Sequence, residues 1–209
     1  MRRPSHLPWI AAALSASLAI AGRPGPLAAA IDTRAQAVVD RYVEATGGRA
    51  ALEAERTTHS FGRIETIQLR GTIEQWTQVP DKLVVRIGLG SLRFITGTDG
   101  RTAWETDLAA KHVRVLEGRE LEHARADAWF ENEMWARAEQ GGGDVAFVAT
   151  SFRDGEEYLC LEVTPPQGVG RRLWFSGRTG LITRTIERVD PTDAVLFLSD
   201  YRRLGGRTR

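Results

Sequence analysis

The feature that most constrains this chain is a long run of period-two segments broken only by short turns. From Gly71 to Trp104 the sequence reads GTIEQWTQVPDKLVVRIGLGSLRFITGTDGRTAW, four strand-like segments joined by a Val-Pro-Asp corner, a Gly-Leu-Gly turn and an Asp-Gly turn. Leu83, Val85, Ile87 and Leu89 alternate with Lys82, Val84, Arg86 and Gly88, which puts one apolar row on a single face of a strand. Asp99-Gly100 sits between Phe94-Ile95 and Ala103-Trp104, and that dipeptide tolerates the positive φ of a tight hairpin. Consecutive strands with turns this short pair with their neighbours, so the spacing predicts an antiparallel meander.

The same period runs from Thr58 to Leu116 and returns from Val145 to Tyr201, in segments separated by Asp154-Gly155, Gly177 with Gly180, and Asp190-Pro191. Two helical stretches interrupt it. Before the first strand, Ala35, Val38, Val39, Tyr42, Val43 and Thr46 fall on one helical face, with Asp32 placed to cap the start and Gly47-Gly48 to end it. Arg49 to Glu55 predicts a short further turn docking Leu52. Between Glu117 and Gln140 there is no glycine except Gly118, no proline and no β-branched residue, so a helix is expected there, ended by Gly141-Gly142-Gly143. Runs of strands segregated from helices define an α+β class. About ten strands in one sheet cannot stay flat, because twist accumulates between neighbours, so the expectation is one strongly curved antiparallel sheet with helices on its concave face.

The first 30 residues read as separate from that fold. Arg2 and Arg3 precede an apolar run from Trp9 to Ala21, and Ala28-Ala29-Ala30 follow, the parts of a secretory signal peptide cleaved after Ala30. The run falls short of the ~20 residues that span a bilayer, and no cysteine stands at the junction to accept a lipid. The expectation is an exported, periplasmic, monomeric protein occupying residues 31–209. Losing Arg2, Arg3 and Arg23 lowers the 28 Lys and Arg to 25 against 27 Asp and Glu, so composition supplies no general attraction to nucleic acid. Cys160 is the single cysteine; it lies in an alternating strand and reads as a half-buried thiol.

Catalytic patterns fail on inspection. Thr98-Asp99-Gly100 has the composition of an aspartic-protease loop in the wrong order, and neither Asp-Thr-Gly nor Asp-Ser-Gly occurs. Gly88-Leu89-Gly90 lacks the third glycine of a dinucleotide fingerprint and precedes a strand. His59, His112 and His123 are far apart and there is no second cysteine, so no metal site or cofactor is expected. Glu131 and Glu133 point apart on a helix, which disfavours an acid–base pair. What remains is Ala128-Trp129-Phe130-Glu131-Asn132-Glu133-Met134-Trp135. Trp129, Phe130, Met134 and Trp135 either plug the concave sheet as core or form a lid over an apolar cavity. Leu83, Val85, Ile87, Phe94 and Trp104 are the sheet residues expected to face them. Arg171-Arg172, ahead of Leu173-Trp174-Phe175, reads as a solvated face with an anionic head group as the alternative.

The segments VVDRYVEATGGRAALEA, GTIEQWTQVPDKLVVRI, ITGTDGRTAWETD and LSDYRRLGG together resemble the lipoprotein-carrier (LolA-like) superfamily, including the N-terminal domain of exported bacterial aspartyl-protease-like proteins. That resemblance spans Val38 to Gly206. It implies a half-open β-barrel whose helix-covered concavity holds a hydrophobic ligand such as lipid, an acyl chain or acylated protein, and the failed catalytic patterns add the expectation of no enzymatic activity. It implies alternatively the non-catalytic domain of a longer aspartyl-protease-like enzyme. Relatives follow the SDYR-type strand with a glycine turn and one more strand, so with only Arg207-Thr208-Arg209 after Gly205-Gly206 the last strand is expected to be lacking.

Overall fold

A computed structural model describes residues 32–65, 68–137, 142–189 and 192–209; the expected signal peptide and the Asp190-Pro191 turn lie outside them. Helix α1 (Thr33–Ala45) forms where the apolar stripe predicts it. The Asp32 carboxylate accepts a hydrogen bond from the Arg34 amide at 2.8 Å, satisfying one of the helix's orphan donors and contributing about 1 kcal/mol. Ala35, Val38, Val39, Tyr42 and Val43 are all buried. Gly47, at φ 121°, ends the helix in a conformation that side chains avoid, and a Cβ there would sit 2.6 Å from the Gly206 carbonyl oxygen. Helix α2 (Arg49–Ala54) then docks Leu52 into the core.

Six strands follow as an antiparallel meander: β1 (Thr57–Glu65), β2 (Arg70–Gln78), β3 (Lys82–Leu89), β4 (Leu92–Thr98), β5 (Ala103–Thr106) and β6 (Val113–Leu116). Opposite Leu83, Val85 and Ile87 stand Thr98, Thr96 and Phe94 on one side and Thr77, Gln75 and Ile73 on the other. These residues therefore form one face. The chain then leaves the sheet for α3 (Gly118–Glu131) and a 3-10 turn (Met134–Ala136) before a second meander of β7 (Asp144–Arg153), β8 (Glu156–Thr164), β9 (Arg171–Ser176), β10 (Ile182–Val189) and β11 (Thr192–Phe197).

The fold is the expected α+β arrangement of antiparallel strands with helices against one face, and it is not a closed barrel. Two details differ. The hydrogen-bonded ladder is divided into a six-stranded and a five-stranded sheet, because the chain between β6 and β7 makes α3 instead of another strand. Helix α3 also ends earlier than Gln140. Asn132 caps it, its side-chain amide donating to the Ala128 and Lys82 carbonyls at 2.8 and 3.1 Å, and Glu133 turns left-handed at φ 51°. Beyond Phe197, Arg203–Leu204 (β12) and Arg207–Thr208 (β13) pair as a two-residue hairpin about Gly205-Gly206.

The main core lies between α1 and the second sheet. Tyr42 packs edge-on to Phe175 with ring centres 5.8 Å apart, and Trp135 lies 5.0 Å from Tyr42 and 6.0 Å from Phe175. Val145, Leu161, Val163, Leu173 and Phe175 supply the sheet side. No helix among the described residues is long and apolar enough to cross a membrane.

Candidate ligand groove

Helix α3 lies across the first sheet without filling the space beneath it. Its C-terminal end is pinned, since Gln75 donates to Glu131 at 2.7 Å and Asn132 holds the Lys82 carbonyl. Below and beside the helix, Ala124 and Asp127 face two adjoining spaces that share Thr96. One, of about 280 Å³, is floored by Ile73, Leu83, Val85 and Thr98. The other, of about 590 Å³, runs on past Leu116 toward Gly168 and Val169. Small residues create the room: an alanine at position 124 and threonines on β4 leave a gap where larger apolar side chains would interlock.

The sheet residues singled out from sequence divide into two groups. Leu83, Val85, Ile87 and Phe94 share the inner face, Leu83 buried and the other three half-buried. Trp104 does not join them. It pairs with Gly97, whose neighbours in register are Val84 and not Leu83, so its indole lies on the outer face. A Cβ on Gly97 would meet the Trp104 ring at 2.8 Å, showing how closely that ring covers the glycine. The expectation that Trp104 faces the helix is therefore corrected by strand register.

The helical aromatics also sit elsewhere than over the sheet. Trp129, Phe130, Met134 and Trp135 are buried in the core cluster with α1 and the second sheet. Trp129 and Phe130 pack edge to face at 5.2 Å. Trp129 and Met134 additionally border a recess of about 330 Å³ with Pro80, Pro165 and Pro166. These side chains set where α3 lies, and the groove is on the helix's other side.

A charged cluster closes the groove wall toward the second sheet. The His123 imidazole lies 3.7 Å from Asp127 and 3.5 Å from Glu187. Arg171 donates to both carboxylates, at 2.8 Å to Glu187, and its guanidinium stands 4.3 Å over the Phe130 ring. Burial pushes the Asp127 carboxyl above its ordinary value, a shift that Arg171 and His123 oppose. The three potential metal ligands lie within 4.8 Å of one another, a grouping that residue spacing did not announce because Glu187 comes from a distant strand. Arg171 already supplies the cation they would otherwise attract, so the cluster is built as a clamp between α3 and β10. Arg172 pairs with Glu162 at 3.0 Å, so both arginines of the Arg171-Arg172 pair are engaged by carboxylates. Cys160 is fully buried, and burial pushes its thiol up to about 11, which removes it as a nucleophile.

The fold is similar to that of solved structures. A LolA superfamily protein from Nitrosomonas europaea superposes with a TM-score of 0.50 at 14% identity, over 84% of this chain and 81% of that one. A DUF1329 family protein from Desulfovibrio piger covers 83% of this chain and 82% of its own, with a TM-score of 0.47 and 16% identity. No protein-family model and no curated protein matches the sequence. At these identities the likeness is one of fold, and the narrower resemblance to aspartyl-protease-like proteins is not carried by either structure.

Proposed function

We propose that this chain is an exported, periplasmic, monomeric binding domain without catalytic activity of its own, which holds a lipid, an acyl chain or an acylated protein segment beneath α3. The observation that carries this reading is the pair of adjoining spaces under the helix, one of them floored by Ile73, Leu83 and Val85. An acyl chain is flexible and wholly apolar along its length, and a groove with an apolar floor and a polar rim suits it. Trp129, Phe130, Met134 and Trp135 support the groove from behind by anchoring α3 to the core.

Mass spectrometry of lipid extracted from the mature chain, purified from its native compartment, tests this together with melting in fatty acid or phospholipid. Ligand at a hundred times its dissociation constant stabilises the folded state by about 2.7 kcal/mol through mass action. Wild type should show that gain. Ala124→Trp, which fills the groove, should lose it while remaining folded. Absence of bound lipid together with an unmoved wild-type melting curve would sink the carrier reading.

A further inference from the structure

The outer face of the second sheet holds a pocket separate from the groove. Cys160, Trp174, Arg184 and Phe197 stand opposite one another across β8, β9, β10 and β11, which puts them on one face, while Leu173 and Phe175 on the other face enter the core. Around Trp174 a space of about 510 Å³ is bounded by Thr183 and Arg184 on one side and by the tip of the β7–β8 hairpin on the other. Phe152 and Phe197, at its walls, are 74% and 72% exposed, more than any other large apolar side chain described.

Two donors at the Trp174–Arg184 stack lack acceptors, and of the two the guanidinium is the one open to the pocket. The Trp174 indole nitrogen is buried with no hydrogen-bond partner, a costly state for a group that can only donate. The Arg184 guanidinium lies over the same indole, 4.6 Å from the ring centre. Among the described residues no carboxylate reaches it, whereas Arg172 and Arg188 on the same face are paired with Glu162 and Asp193. Asp154 at the rim is spoken for by Arg153 at 3.6 Å. The donor set asks for an anionic acceptor, the two phenylalanines ask for a flat apolar body, and the volume falls within the ~300–1,000 Å³ of small-molecule sites. We infer that this pocket binds a small aromatic carboxylate, its anion received by the Arg184 guanidinium over the Trp174 indole and its ring set against the exposed aromatic wall of the pocket.

The test uses 2-naphthoate, with 2-naphthalenemethanol as the uncharged comparison, titrated into the ¹⁵N-labelled mature chain while the indole N–H resonances are followed. Trp174→Phe identifies the Trp174 signal. Naphthoate should move that signal saturably, the alcohol should bind about tenfold more weakly, and Arg184→Gln should bring naphthoate down to the alcohol's affinity. Arg184→Gln should leave fatty-acid binding in the groove unchanged, so failure here is distinguishable from failure of the carrier reading. A Trp174 resonance unmoved at millimolar naphthoate, equal affinities for acid and alcohol, or an Arg184→Gln variant that binds like wild type would each overturn the inference.

Discussion

The inner faces of the two sheets are covered in contrasting ways. Against the second sheet, α1 and the 3-10 turn bring Tyr42, Trp135 and Met134 together with Leu161, Leu173 and Phe175 in one buried cluster. Against the first sheet, α3 presents Ala124, Asp127 and Glu131 to Leu83 and Val85 and leaves the groove. Both sheets are antiparallel meanders with alternating apolar residues, so the sheets themselves do not account for the difference. The helices do: one offers a continuous apolar stripe with large rings nearby, the other an alanine flanked by acids. Close packing is thus concentrated in one half of the molecule and open space in the other.

That contrast is most sharply tested by Trp135→Ala. With the indole 2% exposed and packed on Tyr42 and Phe175, its removal should cost about 3–5 kcal/mol in chemical denaturation. Next in size is Arg207→Ala. Arg207 donates to Glu133 at 2.6 Å, Tyr42 donates to the same carboxylate at 2.5 Å, and removing the guanidinium strands a buried charge, at a cost of about 3 kcal/mol.

The same pair sets an acid limit. Burial by itself would raise the Glu133 carboxyl, but the charge and hydrogen bond of Arg207, with the Tyr42 hydroxyl, hold it below the ordinary 4.5. A folded value below the unfolded one stabilises fully above the unfolded value, and that contribution is lost as pH falls through the folded value. Wild-type melting should therefore drop below about pH 4.5, and Glu133→Gln should flatten that slope.

Smaller effects are expected from the first sheet. Gly97→Ala drives a methyl into the Trp104 ring and the Leu83 carbonyl, and should cost about 1–3 kcal/mol. Val85→Ala, at a half-buried position lining the groove, should cost only about 1 kcal/mol while weakening acyl-chain binding measured by titration. If Val85→Ala instead destabilised as much as Trp135→Ala, the division between a filled half and an open half would fail.

Local features were readable where local chemistry decides them. Asp32, the stripe from Ala35 to Val43 and Gly47-Gly48 define α1 within one turn of sequence, and the alternation from Leu83 to Leu89 fixes the inner face of β3. Trp104 shows where this stops: whether a strand residue faces in or out depends on register across the Asp99–Thr102 turn, and a large aromatic suits either face. The early end of α3 was equally hidden. Nothing between Glu131 and Arg137 is a helix breaker, and the left-handed Glu133 is held by Tyr42 and Arg207, which lie 91 and 74 residues away. The groove follows from side chains too small to fill a space, and a sequence pattern records which residues are apolar more readily than how well they interlock.

The β12–β13 hairpin fastens the end of the second meander to the C-terminus of α1. The Thr208 amide donates to the Thr46 carbonyl at 3.0 Å and the Arg207 guanidinium reaches the Thr46 hydroxyl at 3.1 Å, contacts that close 161 residues of sequence between Arg207 and Thr46. A buckle of that span is among the last things a chain can fasten, because its closure entropy is met only once the intervening strands have condensed. Helix α1, synthesised early, should therefore stay loosely held until late in folding. Pulse-labelled hydrogen exchange would register this as protection of the Val43 to Thr46 amides arriving after that of the β2–β3 ladder.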